Sequence, residues 1–250
     1  EGYDHGHFVS NLGEKIIKNF QISIGGRIIS SYDNDYMKIY NYTNRDNHDY
    51  DLYQNLIKLE DDCLIIPLLF WFCKDPCQSI PIIALQYHDI QIHLEFESIE
   101  NIYIGNGQLK LKGSLMCDYI YLDTEERRHY ARGDHEYLIE QVQVNEYDIT
   151  ELEQTYHLNF NHPTKEILWI IKDNDEFVSH LKSTAIQLNG HNRIEKDAVY
   201  FNKIQPYQNK QNSMKGLYSY SFSLNPNHLQ PSGAMNFSRI DNSLLKCQFK

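Results

Sequence analysis

Apolar and polar positions alternate with period two along several stretches of this chain, the mark of strands with one face covered and one wet. Ile90, Ile92, Leu94 and Phe96 are separated by Gln91, His93 and Glu95, and Tyr218, Tyr220, Phe222 and Leu224 by Ser219, Ser221 and Ser223. Residues 16–24 (IIKNFQISI) are rich in β-forming side chains and stop at Gly25-Gly26, after which Arg27-Ile28-Ile29 follows. Two glycines supply the positive φ angles of a tight primed turn, so this stretch predicts a hairpin. Residues 64–72 (LIIPLLFWF) and 166–172 (EILWIIK) are continuous apolar runs, the pattern of strands covered on both faces; Pro67 points the first to an edge or a bulge.

Helical signals are fewer. Residues 30–47 are rich in Asn, Asp and Tyr and read as surface, with a short helix or irregular stretch across 36–59. Asp123 or Thr124 reads as an N-cap, with Glu125 and Glu126 favouring the positive helix N-terminus; a short helix over 125–131, ended by Gly133, follows. Gly105-Asn106-Gly107 is the clearest boundary, with a new β-rich run (LKLKGSLMCDYIYL) behind it. Asn225-Pro226 and Pro231-Ser232-Gly233 are turn clusters. Short, regularly spaced strands with Asn- and Pro-rich connections predict an all-β chain of sandwiches or jelly rolls: one unit over residues 1–104, a second over 105–250.

Composition sharpens this. The 250 residues include 19 tyrosines and 11 phenylalanines, side chains suited to a pleated, half-buried surface. Asp and Glu total 34 against 23 Lys and Arg, a formal net charge of −11. Nucleic-acid binding draws its affinity from basic side chains that neutralise phosphates, and none are concentrated here, which disfavours a direct grip on a genome. The five cysteines (Cys63, Cys73, Cys77, Cys117, Cys247) are odd in number and are expected as free, mostly buried thiols in a reducing compartment. The longest apolar run, residues 63–73, is too short to cross a bilayer and contains Pro67.

Candidate chemistry is thin. His5 and His7 flank Gly6 beside Asp4, but a cupin-like metal site needs ligands converging from different strands, and His88 and His93, five apart, fall on opposite faces of a strand. Cys73-x-x-x-Cys77 has no second cysteine pair to complete a zinc site, and Ser179, Ser183, His180 and Asp175 lack the elbow that exposes a nucleophilic serine. No cofactor, metal or catalytic residue is expected. Two N-x-[ST] sequons, at Asn41 and Asn236, are candidate glycosylation sites, and Glu125, Glu126, Arg127 and Arg128 candidate subunit contacts. Tyr32, Tyr36, Tyr40 and Tyr42 form a possible aromatic platform for glycans, the binding-module alternative.

Several blocks in order resemble the major capsid protein of the nucleocytoplasmic large DNA viruses. They are IPLLFWFCKDPCQSIPIIALQYHDIQIHLEF (66–96), DYIYLDTEERRHYARGDHEYLIEQ (118–141), the NHP-x-KE block at Asn161-His162-Pro163 with Lys165-Glu166 and LWIIK, QPYQ (205–208), and YSYSFSLNPNHLQPSGAMNFSRID (218–241). The resemblance implies two consecutive eight-stranded jelly rolls. It further implies homotrimeric, pseudo-hexagonal capsomers tiling an icosahedral shell, with neighbouring capsomers and minor capsid proteins as partners. It places the protein in the virion, assembled in host cytoplasm, with no enzymatic role; a minor capsid paralogue is the alternative within that class. Family members are longer, so strands are expected to be missing from the start of the first roll and the end of the second. The loop over 225–232 joins residues 125–128 as a candidate contact between subunits.

Overall fold

The computed structural model describes residues 6–105 and 110–250, so the boundary expected at Gly105-Asn106-Gly107 lies mostly outside the described residues. Two compact units emerge, one of residues 1–38 and 52–142, the other of 39–51 and 143–250. Compactness thus groups residues 110–142 with the first unit, while the split at residues 104 and 105 is a division of the chain in sequence.

In chain order the first unit opens with β1 (His7–Phe8), α1 (Leu12–Lys15), β2 (Ile17–Ile24) and β3 (Arg27–Asp33). The β2–β3 turn is the expected one, with Gly25 and Gly26 at φ 58° and 78°. Two helices follow, α2 (Asn34–Asn44) and α3 (Asn47–Ile57), then β4 (Ile90–Phe96), α4 (Ile99–Ile102), β5 (Tyr103–Ile104) and α5 (Thr124–Arg132). β2 is the central strand of an antiparallel β3-β2-β4 sheet, and β1 pairs with β5. Phe20 and Ile22, alternate residues of β2, are completely buried. Phe20 stacks on Tyr32 of β3 at 4.8 Å, and Phe70 closes edge-on against Tyr32 at 5.3 Å.

Three expectations need correcting. Residues 64–72 form no strand: they run irregularly into a 3-10 turn at Trp71–Cys73, with Leu69, Phe70 and Trp71 buried. Pro67 has no amide to give a ladder, and the buried Leu69 amide donates instead to the Tyr32 hydroxyl at 2.8 Å. Residues 30–47 are not a surface segment, since Tyr32, Met37, Ile39 and Asn41 are all buried. The run after the glycine triplet, where described, pairs with no strand, and Leu111, Leu115, Met116, Tyr119, Ile120 and Tyr121 are exposed.

The second unit contains β6 (Glu153–His157), β7 (Pro163–Thr164), β8 (Glu166–Ile170), β9 (Lys172–Asp173), β10 (Glu176–Phe177), β11 (Leu181–Leu188) and β12 (His191–Asp197). A π-helical turn at Tyr200–Ile204 leads into α6 (Gln205–Gln208), and β13 (Leu217–Ser221), β14 (Met235–Asn236) and β15 (Ser243–Phe249) complete it. A four-stranded antiparallel sheet, β12-β11-β15-β6, shares one core with the β8–β13 pair: Leu181, Ile186, Leu245 and Phe249 from the first meet Ile167, Tyr218 and Tyr220 from the second, around Phe201. Two antiparallel sheets packed over a common core make a sandwich.

Both faces of β8–β13 are covered, which the serine alternation did not predict. Ile167, Tyr218 and Tyr220 point to the main core; Leu168, Ile170 and Leu217 pack with Ile39 and Met214 in a smaller cluster. Ser219, expected to be wet, is buried on this second side. The helical segment 39–51 supplies the cover, and Asn212 ties it down by donating to the carbonyls of Tyr42 (3.0 Å) and Arg45 (2.7 Å).

Candidate functional site

The residues singled out for subunit contact lie on α5, where local chemistry accounts for most of their polar groups. Asp123 caps the helix: its side chain accepts from the Glu126 amide at 2.9 Å, and Glu126 accepts from the Asp123 amide at 3.1 Å. This capping box fixes the helix start one residue before the expected 125. Arg127 donates to the Leu122 carbonyl at 3.1 Å, and Arg128 pairs with Glu125 at 2.6 Å. All four side chains are exposed, so they form a solvated, self-neutralised charge cluster rather than a desolvated site.

The second candidate, the loop over 225–232, is closed at its stem. Leu224 donates to the Ser232 carbonyl at 3.3 Å and the Asn225 amide to the Ser232 hydroxyl at 2.9 Å. Leu224 stands 79% exposed at its edge. Beneath it, Gln211 donates to Asn227 Oδ1 at 2.9 Å, to Glu166 Oε2 at 3.3 Å and to Asn44 Oδ1 at 3.5 Å. Burial pushes the Glu166 carboxyl up to about 7, opposed by the Gln211 hydrogen bond and by Lys165. Sequence reasoning missed Glu166, although a signal was present: with period two it shares a face with Leu168 and Ile170, a lone carboxylate in an apolar row.

The other sequence candidates disperse. Asn41 is completely buried and accepts from Arg45 Nε at 2.8 Å, so the folded chain has no room for a glycan there. Asn236 instead closes a turn, accepting from the Ser238 amide at 3.1 Å. Tyr32 is no exposed platform but a buried core residue. Ser183 donates to Gln248 Oε1, and Ser23 Oγ sits 3.3 Å from His93 Nε2. Among the described residues no three of His, Cys, Asp or Glu gather as a metal centre requires, and no helix is long and apolar enough to cross a membrane. His5 lies outside the described residues. All five thiols are free, but only Cys247 is buried, where desolvation raises it to about 11; the expectation of mostly buried thiols is wrong for the other four, which sit on irregular chain or in short 3-10 turns rather than on core-facing strands.

A sequence profile described as the major capsid protein N-terminus matches residues 1–128, and one described as the large eukaryotic DNA virus major capsid protein matches 126–250. The chain is 34% identical to the major capsid protein of Pyramimonas orientalis virus, over 94% of this chain and 70% of that protein. It is 32% identical to the major capsid protein of Paramecium bursaria Chlorella virus 1, over 95% and 68%. Among solved structures it is similar to a chain of the PBCV-1 virus capsid, with TM-score 0.81 and 30% identity over 97% of this chain and 73% of that one. The Faustovirus major capsid protein shares the fold at 12% identity, with TM-score 0.74 over 100% and 70%.

Proposed function

Because this chain belongs to the major capsid protein family of large eukaryotic DNA viruses, we propose that three copies of it close into a capsomer of near-hexagonal outline, the tile of an icosahedral shell. The chain is a jelly-roll structural subunit of the virus capsid, it is not an enzyme, and its place is the virion. What supports the trimer reading is the presence of two compact units in one chain. Two jelly-roll units per subunit, as the family resemblance implies, repeated about a threefold axis would give six sides. Threefold closure joins different patches on neighbouring copies, so it calls for two unlike contact surfaces. The α5 charges and the loop over 225–232 are the surfaces we assign. Neighbouring capsomers and minor capsid proteins are the partners this role requires. Four exposed, unpaired cysteines fit assembly in the reducing host cytoplasm.

Size-exclusion chromatography with light scattering, followed by electron microscopy of the assembled protein, tests the reading. The expected result is a species of three times the chain mass with a hexagonal outline. A stable monomer or dimer at micromolar concentration would overturn it. Reversing Arg127 and Arg128 to Glu together is expected to shift the trimer toward monomer; unchanged trimers would remove α5 from the interface.

A further inference from the structure

The Glu166 carboxyl is an anomaly in a protein whose work is geometric. The residue is half-buried at the start of β8, opposite Ser221 of β13, with its Oε1 shielded from solvent and receiving no hydrogen bond from the protein. Its other oxygen shares the Gln211 amide with Asn227 and Asn44. An amide nitrogen carries two hydrogens, so three acceptors compete for two protons. An ionised carboxylate wins such a competition, because a hydrogen bond to a charged acceptor is roughly twice as strong as a neutral one. A protonated carboxyl is only a neutral, weaker acceptor, which leaves the two Gln211 hydrogens to Asn227 and Asn44. Lys165, on the same chain segment, is the charged group acting on Glu166. The packed elements bring Ser221 from β13, Gln211 from the loop after α6, Asn44 from α2 and Asn227, none of which titrates.

We propose that Glu166 is a proton-operated latch on the loop over 225–232: protonated, it leaves the Gln211 amide to hold Asn227; ionised, it draws that amide away and frees the loop. Burial sets the exchange near neutral pH, where a modest change of surroundings suffices to throw it. The loop is one of the two contact surfaces assigned above, and on that reading the contact between subunits tightens on the acidic side and loosens on the alkaline side.

Hydrogen exchange of the amides of residues 224–233 in the full chain, corrected for the intrinsic pH dependence, reads the latch directly. Between pH 6 and pH 8 protection is expected to fall about fivefold, the worth of one hydrogen bond. Glu166→Gln should abolish that step, because its amide neither titrates nor competes as a charge. Asn227→Ala should leave the loop loose at every pH, and serves in its place if Glu166→Gln does not fold. A wild-type loop with no step between pH 6 and pH 8 overturns the latch. Sedimentation over the same pH range separates the two readings: a protection step with no matching change in trimer affinity keeps the latch and removes the loop from the interface.

Discussion

Two glycines of the second unit share nearly the same positive φ and differ in surroundings, which allows strain and packing to be measured apart. Gly190, in the β11–β12 turn, has φ 82°, and a Cβ built on it meets nothing within 4 Å. Gly216, just before β13, has φ 77°, and its Cβ would lie 2.8 Å from both Phe177 C and Val178 N. Those are backbone atoms, and the Val178 amide is already committed to the Ile171 carbonyl at 2.9 Å, so they cannot move aside freely. An L-residue in the left-handed region costs about 1–2 kcal/mol, and Gly190→Ala should lose that much. Gly216→Ala should lose the same and a further overpacking cost of about 1–3 kcal/mol. The entropy that alanine removes from the unfolded chain is common to both and cancels in the difference.

The assay can be confined to this unit because the chain has two tryptophans, Trp71 and Trp169, one in each unit. In a Trp71→Phe background, denaturant unfolding followed by Trp169 fluorescence reports β8 and its core alone. The midpoint shift at unchanged slope gives each stability loss. The reasoning fails if Gly216→Ala is no more destabilising than Gly190→Ala, since the close backbone approach would then carry no energy.

Three further outcomes follow from the geometry. Asp123→Ala removes the acceptor of the α5 capping box and should lower helix stability by about 1 kcal/mol, seen as faster amide exchange over 124–132 alone; equal exchange would mean the cap is idle. Ellman's reagent on the folded chain at pH 8 should titrate Cys63, Cys73, Cys77 and Cys117 but not Cys247, which reacts only after unfolding; five reactive thiols in the native state would contradict its burial. Expressed through a secretory pathway, the folded chain should carry no glycan on Asn41, and tryptic peptide mass spectrometry showing one would mean that α2 opens.

The parts of the fold that sequence revealed are those decided by neighbours along the chain. Gly25-Gly26 set their own turn, Asp123 and Glu126 cap each other within one helical turn, and β4 alternates because one of its faces is wet. What stayed hidden depends on partners distant in sequence. Pattern alone reads residues 64–72 as a strand, but the donor that Leu69 needs met is answered by Tyr32, 37 residues away. The serines of β13 read as a wet face, yet residues 39–51 cover it. Glu166 was quoted within a family block, but its burial arises only when Gln211, Asn44 and Asn227 converge on it. The charge cluster on α5 was legible as residues, but that Arg128 pairs with Glu125 and Arg127 with the Leu122 carbonyl is visible only once the helix is formed.

That self-sufficiency bears on which assigned surface holds a capsomer together. Arg128 is paired with Glu125 and Arg127 with a carbonyl, so a contact made by these side chains exchanges one partner for another in solvent, where an ion pair is worth about 0–1 kcal/mol. Leu224 is different: it gives up water on contact and loses no existing partner, and burying a leucine contributes about 1.5–3 kcal/mol. Three equivalent interfaces multiply either term. Leu224→Asp should therefore weaken the trimer more than the double reversal of Arg127 and Arg128, and its effect should persist at 0.5 M salt (roughly a 4 Å screening length, between the 10 Å and 3 Å limits), where the charge effect fades. Sedimentation equilibrium of the two variants at low and high salt decides the order. A Leu224→Asp trimer as tight as wild type, beside a salt-sensitive loss in the arginine variant, would place the binding energy on α5 and reverse the ranking.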